Sequence, residues 1–234
     1  MLSSGVNITS RSGGAMGAYL GKPTIASAPI VVIAQEIFGI TPFIREVVDW
    51  LVDAGFGCVC PDLYWRQAPN LELDANIPSE REQALALFRT FDMEAGIEDL
   101  GCAIEYARAL PFSNGRVAVV GYCLGGALAF DVAARSLADC AIGYYGVGLE
   151  KKISLVPAIA RPAMFHMGNQ DHYVTAESCS ILDEHFGKNK NINLHWYSAG
   201  HSFVRSSSPN FDQAATTVAN ARTLELLATL KDVT

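Results

Sequence analysis

Short apolar runs alternate along this chain with stretches whose apolar residues recur every three or four positions. "APIVVIA" (28–34) is a continuous apolar run of strand length. "FIREVVDWLVDAG" follows, with Ile44, Val47, Val48, Leu51 and Val52 on one helical face and Gly55 as its stop. The same reading gives strands at "FGCVCPDL", "GRVAVVGY", "CAIGYYG", "RPAMFHMG" and "INLHWYS". Helices are expected at "SEREQALALF", opened by a capping box from Ser79 to Glu82, and at "DMEAGIEDLGCAIEYARAL", ended by Pro111. Further helices are expected at "LGGALAFDVAAR", "TAESCSILDEHFG" and "FDQAATTVANARTLELLATL".

Strand alternating with helix is the pattern of a mostly parallel sheet covered on both faces, so the fold class is α/β. Short connections and right-handed crossovers make residues 1–234 one doubly wound domain. The stretch "YWRQAPNLELDANIPS" (64–79) lacks periodicity and reads as an excursion near the working edge of the sheet, not as a linker.

Composition narrows the possibilities. Half of the 234 residues are hydrophobic, enough for a sizeable core. The net charge of −7 disfavours a general binder of nucleic acid or of anionic membranes, though it leaves room for an anionic small substrate held by local arginines. "MLSSGVNITSRSGG" has neither a basic nor an apolar leader region, and no run reaches membrane-spanning length. The Asn7-Ile8-Thr9 glycosylation pattern is therefore read as chance, and the six cysteines point to a reducing, cytoplasmic compartment. Cys58 and Cys60 share one face of an apolar strand and read as core. No C-x-x-C or H-E-x-x-H spacing occurs, so neither a metal nor a cofactor is expected.

The chemistry concentrates at "VVGYCLGGALAF" (119–130), which has the form G-x-S-x-G with Cys123 in place of serine. A free cysteine is usually an inert core thiol. Here a strand runs through a glycine-flanked turn straight into a helix, which sets the side chain on a tight turn at the sheet's carboxyl edge. Gly121 and Gly125 let strand and helix approach closely, and the helix N-terminus favours a thiolate. Asp171 lies just past one later strand and His201 just past the next, in the chain order nucleophile, acid, histidine. His201 would then hold the thiolate and Asp171 would orient the imidazole. Glu36 ends the strand at 28–34 at the same sheet edge, and its neighbours Ile37 and Phe38 make it a candidate proton acceptor. The N–H groups of Ile37 and Leu124 are the candidate oxyanion hole. His166 and His195 fall within strands, His172 adjoins Asp171, and His185 lies on an amphipathic helix.

The blocks "AQEIFG", "VCPDLY", "REQA", "FDMEAG", "GYCLGGALAF", "GYYGVGLE", "FHMG", "QDH" and "AGHSF" resemble, in order and over essentially the whole chain, the dienelactone hydrolases (carboxymethylenebutenolidases). The resemblance implies a monomeric α/β-hydrolase-type fold with a mostly parallel sheet of about eight strands. It implies hydrolysis of 4-carboxymethylenebut-2-en-4-olide, a small anionic lactone, to maleylacetate in the breakdown of catechols and chlorocatechols. It also implies a triad of Cys123, Asp171 and His201, with Glu36 accepting the thiol proton. By the same resemblance Arg81 and Arg205 bind the substrate carboxylate, and Phe38, Tyr145 and Ser202 complete the substrate site. One departure stands out. The family pattern has a hydrogen-bonding aromatic residue in the helix after Arg81, where this chain has Leu85 and Phe88, which bears on the choice among cis, trans and chlorinated lactones. From the residues alone, a thiol esterase or acyltransferase of the same fold and a non-catalytic binding protein remain open. The complete triad weighs against the binder.

Overall fold

The computed structural model describes residues 3–231; the ends of the expected 1–234 domain, residues 1–2 and 232–234, lie outside the described residues. Eight strands form one sheet: β1 (Ser3–Thr9), β2 (Ala15–Gly21), β3 (Ala28–Ala34), β4 (Gly57–Pro61), β5 (Ser113–Tyr122), β6 (Cys140–Tyr144), β7 (Ala163–Gly168) and β8 (Ile192–Tyr197). Their order across the sheet is β1-β2-β4-β3-β5-β6-β7-β8. From β4 to β8 every pairing is parallel. The fold is thus the α/β sheet that the strand–helix alternation predicts.

β1 and β2 are an addition to the six strands read from the pattern. They form an antiparallel hairpin, and β2 joins the sheet antiparallel to β4. An edge hairpin needs no continuous apolar run, and β2 alternates between buried and more exposed positions. The central strands β3 and β4 are buried at every position, which is why they read as unbroken apolar runs.

Six helices cover the two faces: α1 (Pro42–Asp53), α2 (Pro78–Arg89), α3 (Met93–Arg108), α4 (Leu124–Ala134), α5 (Ala176–Phe186) and α6 (Gln213–Ala228). α1 buries Ile44, Val47, Val48, Leu51 and Val52, and it ends where Gly55 takes a left-handed φ of 87°. α3 is capped by the Asp92 side chain, which accepts from Ala95 N. The Ser79–Glu82 capping box does not form. Ile77 occupies the N-cap position without a side-chain bond, and Pro78 takes the first turn. Proline suits that place because its φ is already helical and it has no N–H to satisfy. A 3₁₀ segment, Leu149–Ala158, follows β6 and was not legible as an element.

The 64–79 stretch crosses the carboxyl edge of the sheet. It touches the turn after β3 through a bridge between Gly39 and Glu72, and Arg45 and Glu72 pair beside it. Among the described residues no helix is long and apolar enough to cross a membrane.

Candidate active site

β5 delivers Cys123 at the carboxyl edge with φ 54° and ψ −110°, a left-handed conformation that costs a non-glycine residue energy. The surroundings hold it there. Cys123 N donates to Tyr144 O at 3.0 Å, and Gly125 N donates to Gln35 O at 3.1 Å. The flanking glycines are sterically required. A Cβ on Gly121 would stand 1.9 Å from Gly125 O, and one on Gly125 would stand 2.0 Å from Ala34 O. The turn therefore presents the thiol while α4 begins directly beneath it. Four other thiols differ: Cys58, Cys60, Cys102 and Cys140 are buried, and burial pushes the thiols of Cys58, Cys60 and Cys140 upward, the last to about 12.

β7 and β8 carry Asp171 and His201 to the same edge. Asp171 is buried, and its Oδ2 lies 2.6 Å from His201 Nδ1. Its Oδ1 accepts from Tyr173 N at 2.9 Å, so both oxygens are fixed. Asn210 Nδ2 donates to His201 O at 3.0 Å and holds the loop. Burial alone would lower the imidazole's proton affinity. An ionised Cys123 beside it and the bond to Asp171 outweigh it and raise His201 to about 10.

Glu36 is only 1% exposed. Its Oε2 accepts from Arg205 Nη1 at 2.8 Å and its Oε1 from the Tyr145 hydroxyl at 3.3 Å. The Arg205 guanidinium lies 5.5 Å from the centre of the Phe38 ring, and its Nε, though buried, has no hydrogen-bond partner among the described residues. Arg81 enters from α2. Its Nε and Nη2 both donate to Ala75 O, at 2.9 and 2.7 Å, and among the described residues it meets no carboxylate.

A cavity of about 460 Å³ joins these groups. Cys123, His201, Glu36, Arg81, Arg205, Phe38, Ile37, Leu124 and Ser202 all line it. Neither Ile37 N nor Leu124 N donates to another backbone group among the described residues. Tyr145 is placed differently. It is fully buried outside the lining, with φ 39°, and meets the site only through Glu36 and its ring contact with His201. Leu85 and Phe88 do line the cavity, so α2 presents apolar side chains beside Arg81. His172, Tyr173 and Lys151 also line it. His172 and Tyr173 follow Asp171 directly in the loop after β7, whereas Lys151 arrives from the 3₁₀ segment after β6.

Two further histidines lie in strands β7 and β8. His166 bonds to the Tyr197 hydroxyl at 2.8 Å and to Thr223 Oγ1 at 3.1 Å, and burial lowers it well below its ordinary value. His195 stacks beside it. Among the described residues no group of three or more His, Cys, Asp or Glu side chains is arranged to hold a metal ion.

Residues 16–231 match the model of the dienelactone hydrolase family. A carboxymethylenebutenolidase 1 from Cupriavidus pinatubonensis is 87% identical over 232 residues, 99% of each chain. A carboxymethylenebutenolidase from Pseudomonas putida is 55% identical, over 99% of this chain and 98% of its own. Among solved structures, a dienelactone hydrolase from Anabaena variabilis covers 98% of both chains with a TM-score of 0.73 at 19% identity, a likeness of fold. On the family match and these identities, the chain belongs to the dienelactone hydrolase family.

Proposed function

We propose that this chain is a carboxymethylenebutenolidase that opens dienelactone, including its chlorinated forms, to maleylacetate through a thioester on Cys123. The observation that carries the reading is the buried Glu36–Arg205 pair, which shares a cavity with Cys123, His201 and an Arg81 that meets no carboxylate. A neutral ester needs no such arginines. A substrate carboxylate entering between Arg81 and Arg205 can accept bidentate hydrogen bonds from guanidinium groups. It competes with Glu36 for Arg205, and the released Glu36 carboxylate takes the Cys123 proton.

The thiolate then attacks the lactone carbonyl carbon, forming the S–C bond. The oxyanion that develops sits at the N–H groups of Ile37 and Leu124. The ring C–O bond breaks and the electron pair leaves on oxygen as an enolate, which takes up the proton held by Glu36 and becomes the ketone, leaving Glu36 a carboxylate again. An enolate leaves without strong acid help, so a thiol suffices. Water, giving its proton to His201, attacks the thioester carbonyl; the C–S bond breaks, and the departing thiolate takes that proton from His201 to restore the thiol. Asp171 holds the imidazole through Nδ1 for this step. The apolar wall of Leu85, Phe88 and Met93 suits an unsaturated or chlorinated ring. The reading carries with it a monomer acting in the cytoplasm.

The test compares two substrates in Arg81→Met and in wild type, following ultraviolet loss of dienelactone beside hydrolysis of a neutral ester of similar size. The KM for the lactone should rise at least about tenfold and that for the ester should hardly move. Equal effects on both substrates would show that the arginine does not read a carboxylate.

A further inference from the structure

Tyr173 is 47% exposed and lies in a loop beyond a strand, where an aromatic side chain is ordinarily just surface. Its contacts are more specific. Its backbone N donates to Asp171 Oδ1 at 2.9 Å, and Val174 N donates to Asp171 O at 2.9 Å. This tight turn brings the Tyr173 ring back against His172, 3.9 Å between centroids. It also sets the ring across His201, at 4.8 Å with an interplanar angle of 77°. From the interior, the buried Tyr145 ring meets the same imidazole at 5.0 Å and 64°.

We propose that Tyr173 is a positioning residue that closes the solvent side of the His201 imidazole and, with Tyr145, forms an aromatic slot for it. The imidazole has to keep Nδ1 on Asp171 so that Nε2 remains available to the thiol. Two near-perpendicular rings restrict its rotation. The outer ring keeps bulk water from the Asp171–His201 bond, which holds the local dielectric down. The ring is the working part, so phenylalanine should replace tyrosine here.

The groups facing His201 are Cys123 from the elbow, Asp171 and His172 from the loop after β7, and Tyr145 with the Glu36–Arg205 pair behind it. Burial lowers His201, while Cys123 and Asp171 together raise it to about 10. Admitting water weakens all of these influences at once. The net displacement is upward, so exposure returns the imidazole toward its ordinary value and its titration moves down.

The inference rests on the hydrolase reading only for its turnover readout. The experiment is the NMR titration of His201 in wild type, Tyr173→Ala and Tyr173→Phe, with kcat, KM and melting temperature for each. In the alanine variant the titration midpoint should fall by about half a unit or more, and kcat about tenfold, with KM within about twofold. The phenylalanine variant should match wild type. Unchanged titration and kcat in Tyr173→Ala would overturn the proposal, as would a phenylalanine variant impaired like the alanine one. A large fall in melting temperature with parallel loss of activity would assign the ring a structural role and overturn it too. If the wild type fails to open dienelactone, the hydrolase reading falls. The His201 titration and the pH dependence of Cys123 alkylation by iodoacetamide would still decide the role of Tyr173.

Discussion

Arg205→Met keeps much of the apolar stem of the side chain and removes the charge that faces Glu36. In the native protein the Glu36 carboxylate is 1% exposed, with Arg205 at 2.8 Å and the Tyr145 hydroxyl at 3.3 Å. After the change only the long tyrosine bond remains to a carboxylate that is almost wholly buried. Removing one member of a buried pair costs about 3–5 kcal/mol, because the charge left behind is uncompensated. A chain of 234 residues unfolds with an entropy of roughly 0.5 kcal/mol/K, so the melting temperature should fall by about 6–10 °C. Adding Glu36→Gln to Arg205→Met replaces that charge with a neutral amide and should recover more than half of the loss. The assay is thermal unfolding of wild type, both single variants and the double variant, which closes a cycle and isolates the pair. A loss below about 1 kcal/mol in Arg205→Met, or no recovery in the double variant, would refute the view of Glu36 as a buried charge held by Arg205.

Two further expectations follow from the elbow and the imidazole. Gly125→Ala places a Cβ 2.0 Å from the carbonyl oxygen of Ala34, in a central strand that cannot yield, and should cost at least about 3 kcal/mol. Gly101→Ala in α3 meets nothing within 4 Å and should stabilise by up to about 1 kcal/mol; denaturant unfolding of the two variants checks the contrast. His201 is raised in the folded protein, so its charged form contributes stability fully below the ordinary value of 6.5 and loses that contribution as pH rises through about 10. The gap in melting temperature between wild type and His201→Gln should therefore shrink across that window, and a constant gap would contradict the pairing of the imidazole with Cys123 and Asp171.

Much of this architecture is written in local pattern. β3, β4, β6 and β7 are buried at every position and β5 from Val117 onward, so their runs are apolar and stand out, while the edge strand β8 is buried only at its two ends. The elbow is legible because its glycines are fixed by backbone contacts of about 2 Å, which no other residue satisfies. The β1–β2 hairpin escaped because an edge pair is held by main-chain bonds and needs only intermittent apolar contacts. The capping box failed because Pro78 claimed the first turn ahead of Ser79. Pairings across long separations are a different matter. Glu36 and Arg205 meet across 169 positions and Asp171 and His201 across 30, so residue type and sheet edge could nominate them but only the folded chain brings them into contact. The same holds for the ring of Tyr173, which follows Asp171 closely in sequence but meets His201 only in the folded chain.

The proposed nucleophile has a direct mass signature. Opening a lactone leaves the former ring oxygen attached to the acyl chain, so the Cys123 thioester should carry the mass of a whole substrate molecule. Wild-type enzyme mixed with dienelactone, quenched in acid within milliseconds and analysed by intact mass and peptide mapping, should show that gain on the peptide containing Cys123. Cys123→Ala should show neither the adduct nor turnover. Rapid consumption of lactone without an adduct at Cys123, together with turnover persisting in Cys123→Ala, would contradict catalysis through this thiol.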